Sequence, residues 1–597
     1  MPAEPSRVTL RIAAAVFTAV WFAMLFGRPL FDPDEGRYAE IPREMLRAGD
    51  WIIPHLDGLV YLEKPPLQYW ATAMVYALVG VGEGTARLVT GLAGYGSLLL
   101  VFAIAHRLWR ARAARKALLL TAGSILFVLL GHQLTLDMSL NFFLLATLAA
   151  FIFAQSGRHA HAHADAHAHA HGGGDVEAGP VARAPRNADA APDPASRRWM
   201  LGCWAAMALA VLTKGLIGVL IPGFTLGVYV LWQRDFAVLR RLQLRLGVAL
   251  FLAIAVPWFV LAARANREFL WFFFVREHLQ RFLTPIEMRS EPWWFFVPVL
   301  SLGILPWLTQ ALEVLATGWR AGVARGRFDA RRLLWIWSVF VPVFFSLSHS
   351  KLITYILPAI PTLALLCAEP RGAPQADPRA DPRTDPRADP RRLSERAHLL
   401  AGAGATLLFA LGAIGYASAF WAAPQARALV LVLRPAVFAT STLLLLGAAT
   451  TMYLSRDRRD AALASLCAAW FAAAVAITVG AVAAQGFFSN RDAGLLLARV
   501  VPPGVTVYSV QTYEQSLTFY FGRSVTLVDY RDELALGQDQ DPGAGIADVA
   551  TFAHRWEAAG EAYAIMPTAT WQRLGRAGLP MRELGRYPNR IVLVARQ

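Results

Sequence analysis

Apolar and polar positions along this chain alternate in long blocks, not in the short stripes of a soluble fold. A helix needs about twenty apolar residues to cross the hydrocarbon core of a bilayer. Runs of that kind lie near 9–27, 85–108, 117–132, 138–155, 199–213, 215–232, 246–263, 293–313, 333–348, 352–368, 397–420, 428–454 and 461–484. The pattern predicts thirteen membrane-spanning helices. A further apolar stretch, Leu67–Val81, is short for a span and is expected to lie as a helix at the outer interface. The first run lacks a small-residue cleavage site, so it is read as a span and not as a removable signal.

One polar block interrupts this rhythm. Phe31–Trp70 reads FDPDEGRYAEIPREMLRAGDWIIPHLDGLVYLEKPPLQYW, with Asp32, Asp34, Glu35, Glu40, Glu44, Asp50, Asp57 and Glu63 against Arg37, Arg43, Arg47 and Lys64. A connection between two spans needs only a few residues, so a long one dense in carboxylates, tyrosines and prolines is a candidate site. The block is bounded as 28–84, within a membrane part covering 1–484. From about Gln485 the pattern changes again. β-rich runs (Val505–Val510, Ser516–Phe521, Val525–Val528, Arg590–Ala595) alternate with helix-like ones (Ile546–Ala559, Thr568–Ala577). That predicts a small α/β domain over 485–597. It carries no glycine-rich phosphate loop or metal cluster and reads as a lid or docking domain.

Composition agrees with a polytopic membrane protein. The 597 residues are 56% hydrophobic and 17% charged, against about 25% charged in soluble domains. The net charge of +15 does not indicate a nucleic-acid partner, because the basic residues fall in connections such as 107–116, 234–245, 320–332 and 456–459. Excess Lys and Arg in loops marks the cytoplasmic side. Placing these loops there puts the Phe31 block, Asp137, the Arg264–Glu291 loop, Lys351 and the C-terminus on the outer face. The three cysteines, Cys203, Cys367 and Cys467, imply no disulfide framework. Two low-complexity inserts, a His-Ala alternation within 156–198 and Asp-Pro-Arg repeats within 369–396, are read as disordered cytoplasmic linkers.

The outer elements carry the chemistry. Asp34 and Glu35 follow the first span, in a loop that also supplies Tyr38, Tyr61, Glu63 and Lys64. Asp137 sits between two apolar runs, where an ionisable group is expected to face a cavity or the aqueous edge. In FVREHLQRF, Arg276 and Arg281 suit phosphate oxygens. His278 together with Glu63 is a candidate pair for a divalent metal such as zinc, although the sequence requires no cofactor. Lys351 and Tyr355 open a span in SHSKLITYILP, and Lys214 in LTKGL reaches the same face or the cavity. Interfacial belts of Trp and Arg, and snorkelling lysines, are the plainer explanation of any one of these residues. Collected on one face, carboxylates, cations and aromatics suit sugar transfer from a lipid-linked phosphate: cations stabilise the departing phosphate and a carboxylate orients or deprotonates the acceptor.

The block PDEGRYAEIPREMLRAGDWIIPHLDGLVYLEKPPLQYW, followed in order by LDMSL, LTKG, EHLQRF with EPWWF, and SKLITYILP, resembles the dolichyl-phosphate-mannose protein mannosyltransferase superfamily. Within it the chain is most similar to the bacterial lipid A 4-amino-4-deoxy-L-arabinose transferases of ArnT type. The resemblance implies a GT-C fold, an undecaprenyl-phosphate-linked sugar donor, a lipid A acceptor, inversion at the anomeric carbon, and an active site on the periplasmic side of the inner membrane. Carried over by position, it makes Asp34 the principal catalytic carboxylate and Lys64 and Arg281 candidates for the donor phosphate. Asp137, Tyr38, Tyr61, Glu63, His278, Lys351 and Tyr355 then line the cavity. Beside the resemblance, Asp137 and Lys64 join Asp34 as candidate catalytic groups, and Glu35 and Lys214 are candidate substrate contacts. A relative acting on protein or glycan, and a lipid-linked sugar flippase, are the competing expectations.

Overall fold

The computed structural model describes residues 6–170, 194–284, 291–320, 327–370, 394–418 and 424–597. Every predicted apolar run coincides with helix. Among the described residues seven helices are long and apolar enough to cross a membrane, or eight if the pair Phe296–Gly303 and Leu305–Thr317, bent by 81°, counts as one span, against the thirteen expected from the apolar runs. Shorter apolar helices occupy Val8–Ala23, Leu67–Val79, Ile217–Gln233 and Ile353–Ala368. The run predicted at 85–108 and the start of that at 117–132 share one long element, Glu83–Ala122, whose backbone turns out of helical geometry at Arg110 (φ 73°, ψ −175°), and the rest of the second run is the separate helix Ile125–Gly131. Of the two inserts read as disordered, 171–193 and 371–393 lie outside the described residues. The flanks of the first are helical, as the ends of Leu136–Ala170 and Pro194–Lys214.

The Phe31 block is built from local signals. Helix α1 (Arg7–Ala23) leads to α2 (Asp34–Ala48), which has Asp34 and Glu35 in its first turn, Arg47 in its last, and Gly49 in the left-handed region (φ 71°) as its stop. These are the charges and the cap that a helix dipole favours. A two-strand hairpin follows, β1 (His55–Leu56) and β2 (Leu59–Val60). Its turn residues Asp57 and Gly58 both have positive φ (58° and 77°), the demand of a two-residue hairpin turn that Asp-Gly meets well. The Glu44 carboxylate accepts both turn amides, at 2.7 and 3.0 Å. Pro66 then precedes α3 (Leu67–Val79), the predicted short helix.

The C-terminal part is a six-stranded mixed sheet in the order β5-β4-β3-β6-β8-β7, from β3 (Val507–Val510), β4 (Thr526–Val528), β5 (Gly545–Ile546), β6 (Tyr563–Pro567), β7 (Met581–Arg586) and β8 (Ile591–Arg596). β5, β4, β3 and β6 run parallel; β8 is antiparallel to β6 and β7. Side chains alternate across a strand, and here each face has its own partner. Val507, Leu527, Ile565 and Leu593 share a core with Tyr38, Leu56, Leu59 and Tyr61 of the Phe31 block. Tyr508, Val528, Met566 and Val592 pack on Phe552, Trp556 and Leu574 from helices Val549–Ala558 and Thr568–Arg576.

One predicted strand is a helix. Ser516–Phe521 is rich in β-forming residues, yet Gln515–Phe521 is helical. Its first turn is capped from far away: the Asp32 carboxylate accepts Ser516 N–H at 2.5 Å and Ser516 Oγ–H at 2.6 Å. The helix also lies so close to α2 that a Cβ on Gly36 would collide with the backbone of Gln515 and Ser516. Tertiary packing overrides local propensity here.

Candidate active site

A cavity of about 100 Å³ gathers residues from four separated segments: Lys64, Asp137, Lys214, and Glu277, His278 and Arg281, walled by Phe282, Phe344, Phe345 and Tyr355. Asp137 stands in the first turn of helix Leu136–Ala170 and Lys214 is the last residue of helix Pro194–Lys214. A carboxylate at a helix start and an ammonium at a helix end each suit the local dipole. The two meet, with Lys214 Nζ 2.5 Å from Asp137 Oδ1, and the ammonium also lies 4.6 Å from the centre of the Tyr355 ring. Gly215, at φ 85°, stops the Lys214 helix.

The second cluster is cationic. Lys64, held in the loop ahead of Pro66, donates to Glu63 O at 3.1 Å and to Glu277 Oε2 at 3.3 Å. Arg281 Nη1 donates to the same Glu277 oxygen at 2.9 Å. Both Glu277 and His278 lie on the π-helical segment Trp271–Gln280, and Arg281 follows directly; such windings are frequent at functional sites. Burial pushes the Glu63 carboxyl up, but the Lys64 ammonium, with Arg37 and Arg281, outweighs it and holds the group down at about 2. Tyr61 donates its hydroxyl to Glu63 at 3.0 Å.

Asp34 opens α2 and is about a third exposed, with Arg37 Nη1 at 3.7 Å. It lies beside the cavity, not in its lining: the buried Tyr38 hydroxyl is raised by burial and feels Asp34, Glu63 and Asp137 together. Arg37 also pairs with Glu533 of the C-terminal domain, so that domain braces the carboxylate's own neighbour. Lys351 is near as well, but its ammonium is spent on the carbonyls of Ser348 (2.6 Å) and Glu291 (2.9 Å). It is not itself part of the lining, which its neighbours Ser348 and Ser350 join. Arg276 stacks on Phe272 at 5.3 Å and does not line the cavity.

One expectation needs correction. Glu35 is fully buried away from the cavity. Its oxygens accept from Arg28 (2.5 and 2.8 Å), Arg87 (2.8 and 2.9 Å) and the amides of Phe31 (3.0 Å) and Leu134 (2.9 Å). Burial opposes its charge, but the two guanidiniums win and hold its carboxyl far below the usual range. Glu35 is a structural clamp and not a substrate ligand. His278 Nδ1 donates to Phe273 O at 2.6 Å, and its Nε2 lone pair faces Leu216 N–H at 3.4 Å, so the ring presents Nε2 as an acceptor with its orientation fixed from behind. Burial drives His278 down to about 4, and Glu63 is already shared by Tyr61 and Lys64. Among the described residues no three His, Cys, Asp or Glu side chains gather as metal ligands. His278 also packs on Gly215 at the end of the Lys214 helix.

Sequence reasoning passed over Glu277 as a site residue, although it stands in the quoted FVREHLQRF motif; its spacing of four from Arg281 on a helical segment was the available signal. Glu533 had none, because its partner is nearly five hundred positions away.

Comparison with known proteins fits this geometry. Residues 63–162 match the dolichyl-phosphate-mannose-protein mannosyltransferase family, and residues 495–596 match the aminoarabinose transferase C-terminal domain. The undecaprenyl phosphate-alpha-4-amino-4-deoxy-L-arabinose arabinosyl transferase 1 of Sodalis glossinidius is 34% identical over 365 residues, 60% of this chain and 58% of that one. The corresponding transferase of Serratia proteamaculans is 32% identical over 362 residues, again with 58% of its length covered. The chain thus aligns with somewhat over half the length of these curated relatives. The crystal structure of ArnT from Cupriavidus metallidurans bound to undecaprenyl phosphate superposes with a TM-score of 0.82 at 31% identity, covering 99% of this chain and 98% of that one. Its apo form gives 0.81.

Fold and cavity thus define a multi-pass membrane protein of the GT-C glycosyltransferase class. The near-complete match in length, and the C-terminal domain in particular, narrow this further. The chain belongs to the ArnT family of aminoarabinose transferases.

Proposed function

We propose that this protein transfers 4-amino-4-deoxy-L-arabinose from undecaprenyl phosphate to a phosphate of lipid A, at the periplasmic face of the bacterial inner membrane. The observation that carries the reading is the pairing of Lys64 and Arg281 around one oxygen position at the cavity, in a chain that superposes along its whole length on a protein crystallised with undecaprenyl phosphate. Names of the aligned relatives supply the sugar.

An acceptor phosphate oxygen attacks the anomeric carbon as the bond from that carbon to the donor phosphate oxygen breaks. The electron pair leaves with the phosphate, and single displacement inverts the centre. Lys64 and Arg281 take up the charge that develops on the leaving oxygen, where fixed donors in a water-poor cavity act most strongly. The acceptor phosphate is already ionised at neutral pH, so Asp34 serves to orient the acceptor or the sugar amine more than to remove a proton. Asp137 and Lys214 fix the opposite wall, and the phenylalanines exclude water from the sugar.

The test is the lipid A of a strain lacking the gene, complemented with wild type or Asp34→Asn. Aminoarabinose-bearing lipid A is expected with wild type alone. An unchanged lipid A profile, with sugar found on protein or glycan by the reconstituted enzyme, would assign the chain to another acceptor; donor movement across vesicles without product would make it a flippase.

A further inference from the structure

Glu277 holds an unusual place for an acid at an anion site. Its Oε2 lies 3.3 Å from Lys64 Nζ and 2.9 Å from Arg281 Nη1, and its side chain is 8% exposed. Two cations converging on one oxygen is how a phosphoryl oxygen is gripped. Among the described residues at the cavity each cation already faces a carboxylate: Lys64 meets Glu63 and Glu277, Arg281 meets Glu277, and Lys214 meets Asp137. A phosphate entering it meets cations already occupied.

Resting on the reading above, in which a lipid-linked phosphate binds here, we propose that Glu277 is a resident counter-anion: it occupies the phosphate position in the empty site, yields Lys64 and Arg281 to the donor, and reclaims them to expel the product. The donor is a phosphodiester with one negative charge. The product, undecaprenyl phosphate, is a monoester, and with a second ionisation near pH 6 it approaches two charges. Repulsion from a nearby carboxylate scales with that charge, so Glu277 acts more strongly against product than against donor. It is a positioning residue, working through the two cations.

The experiment measures undecaprenyl phosphate binding and steady-state turnover of the full-length protein in lipid nanodiscs, for wild type, Glu277→Gln and Glu277→Asp. Glu277→Gln keeps the size and removes the charge; it is expected to tighten the product Kd by about tenfold and lower kcat and KM together as release slows. Glu277→Asp withdraws the oxygen by one methylene and is expected to tighten product binding by about threefold. Were Glu277 a brace for the cations only, both variants would bind product more weakly and raise KM, and that result overturns the proposal, as does an unchanged Kd. If Glu277→Gln does not fold, the direction of the Glu277→Asp shift decides alone. Should wild type bind undecaprenyl phosphate no better than phosphatidylglycerol, the functional reading fails as well; specific wild-type binding with no tightening in either variant sinks only the role of Glu277.

Discussion

Lys214 and Asp137 come from the end of one helix and the start of another and meet at 2.5 Å on the cavity wall. Their side chains are 15% and 11% exposed, so each charge depends on the other. Removing one member of such a pair strands the second in a poor solvent, at a cost of about 3–5 kcal/mol. Lys214→Met is therefore expected to lower stability by about 3 kcal/mol, and adding Asp137→Asn should restore part of that loss. Thermal unfolding of the three variants in detergent, read as a double-mutant cycle, checks the coupling. Additive losses would mean the two charges do not depend on one another.

Adjacent acids should fail in different ways. Asp34→Asn is expected to leave folding intact and abolish transfer, because Asp34 is about a third exposed and only loosely held by Arg37. Glu35→Gln deprives Arg28 and Arg87 of their shared anion and is expected to cost about 3–5 kcal/mol, seen as poor accumulation and a lowered melting temperature. Comparison of yield, melting and turnover for the two variants separates the roles.

The domain junction should respond to pH. Burial, reinforced by the Glu514 charge, raises Asp32 from its ordinary 3.8 to about 7, against the hydrogen bonds from Ser516 and Asn490. The folded state therefore holds this proton more tightly than the unfolded chain does. Stability from this group is greatest below the unfolded value and falls as pH climbs from about 4 to about 7, then levels. Melting temperatures taken across pH 5 to 8 should decline, and Asp32→Asn should flatten the slope.

Gly36 is the point of closest approach between α2 and helix Gln515–Phe521. Gly36→Val adds atoms where the backbone of Gln515 and Ser516 already stands; backbone cannot give way as a side-chain tip can. The variant is expected to lift the C-terminal domain off α2, expose the chain near Gln485 to protease, and depress activity at least tenfold through displacement of the Asp34 turn. Limited proteolysis beside the transfer assay reads both effects.

What the sequence made legible follows from periodicity and from local chemistry. The apolar runs located the apolar helices, because a segment in lipid must be apolar over its whole length, but among the described residues seven or eight of them, not thirteen, are long and apolar enough to cross a membrane. Asp137, Lys214, Lys64 and Arg281 stood out because a charge beside an apolar run needs a reason, and the structure brings all four to one cavity. Glu35 was misjudged since its partners Arg28, Arg87 and the Leu134 amide are assembled only in three dimensions. Ser516–Phe521 was misread for a like reason: the cap that makes it a helix belongs to Asp32. His278 carries a ligand's chemistry in the sequence, but which ring nitrogen is held by backbone is visible only once the turn at Gly215 is folded against it.

The bond from Asp32 to Ser516 joins positions 484 residues apart. The Phe31 block is thus among the earliest parts of the chain to leave the ribosome, and its brace is among the last. A polypeptide clipped ahead of the C-terminal domain is expected to carry that block without its support.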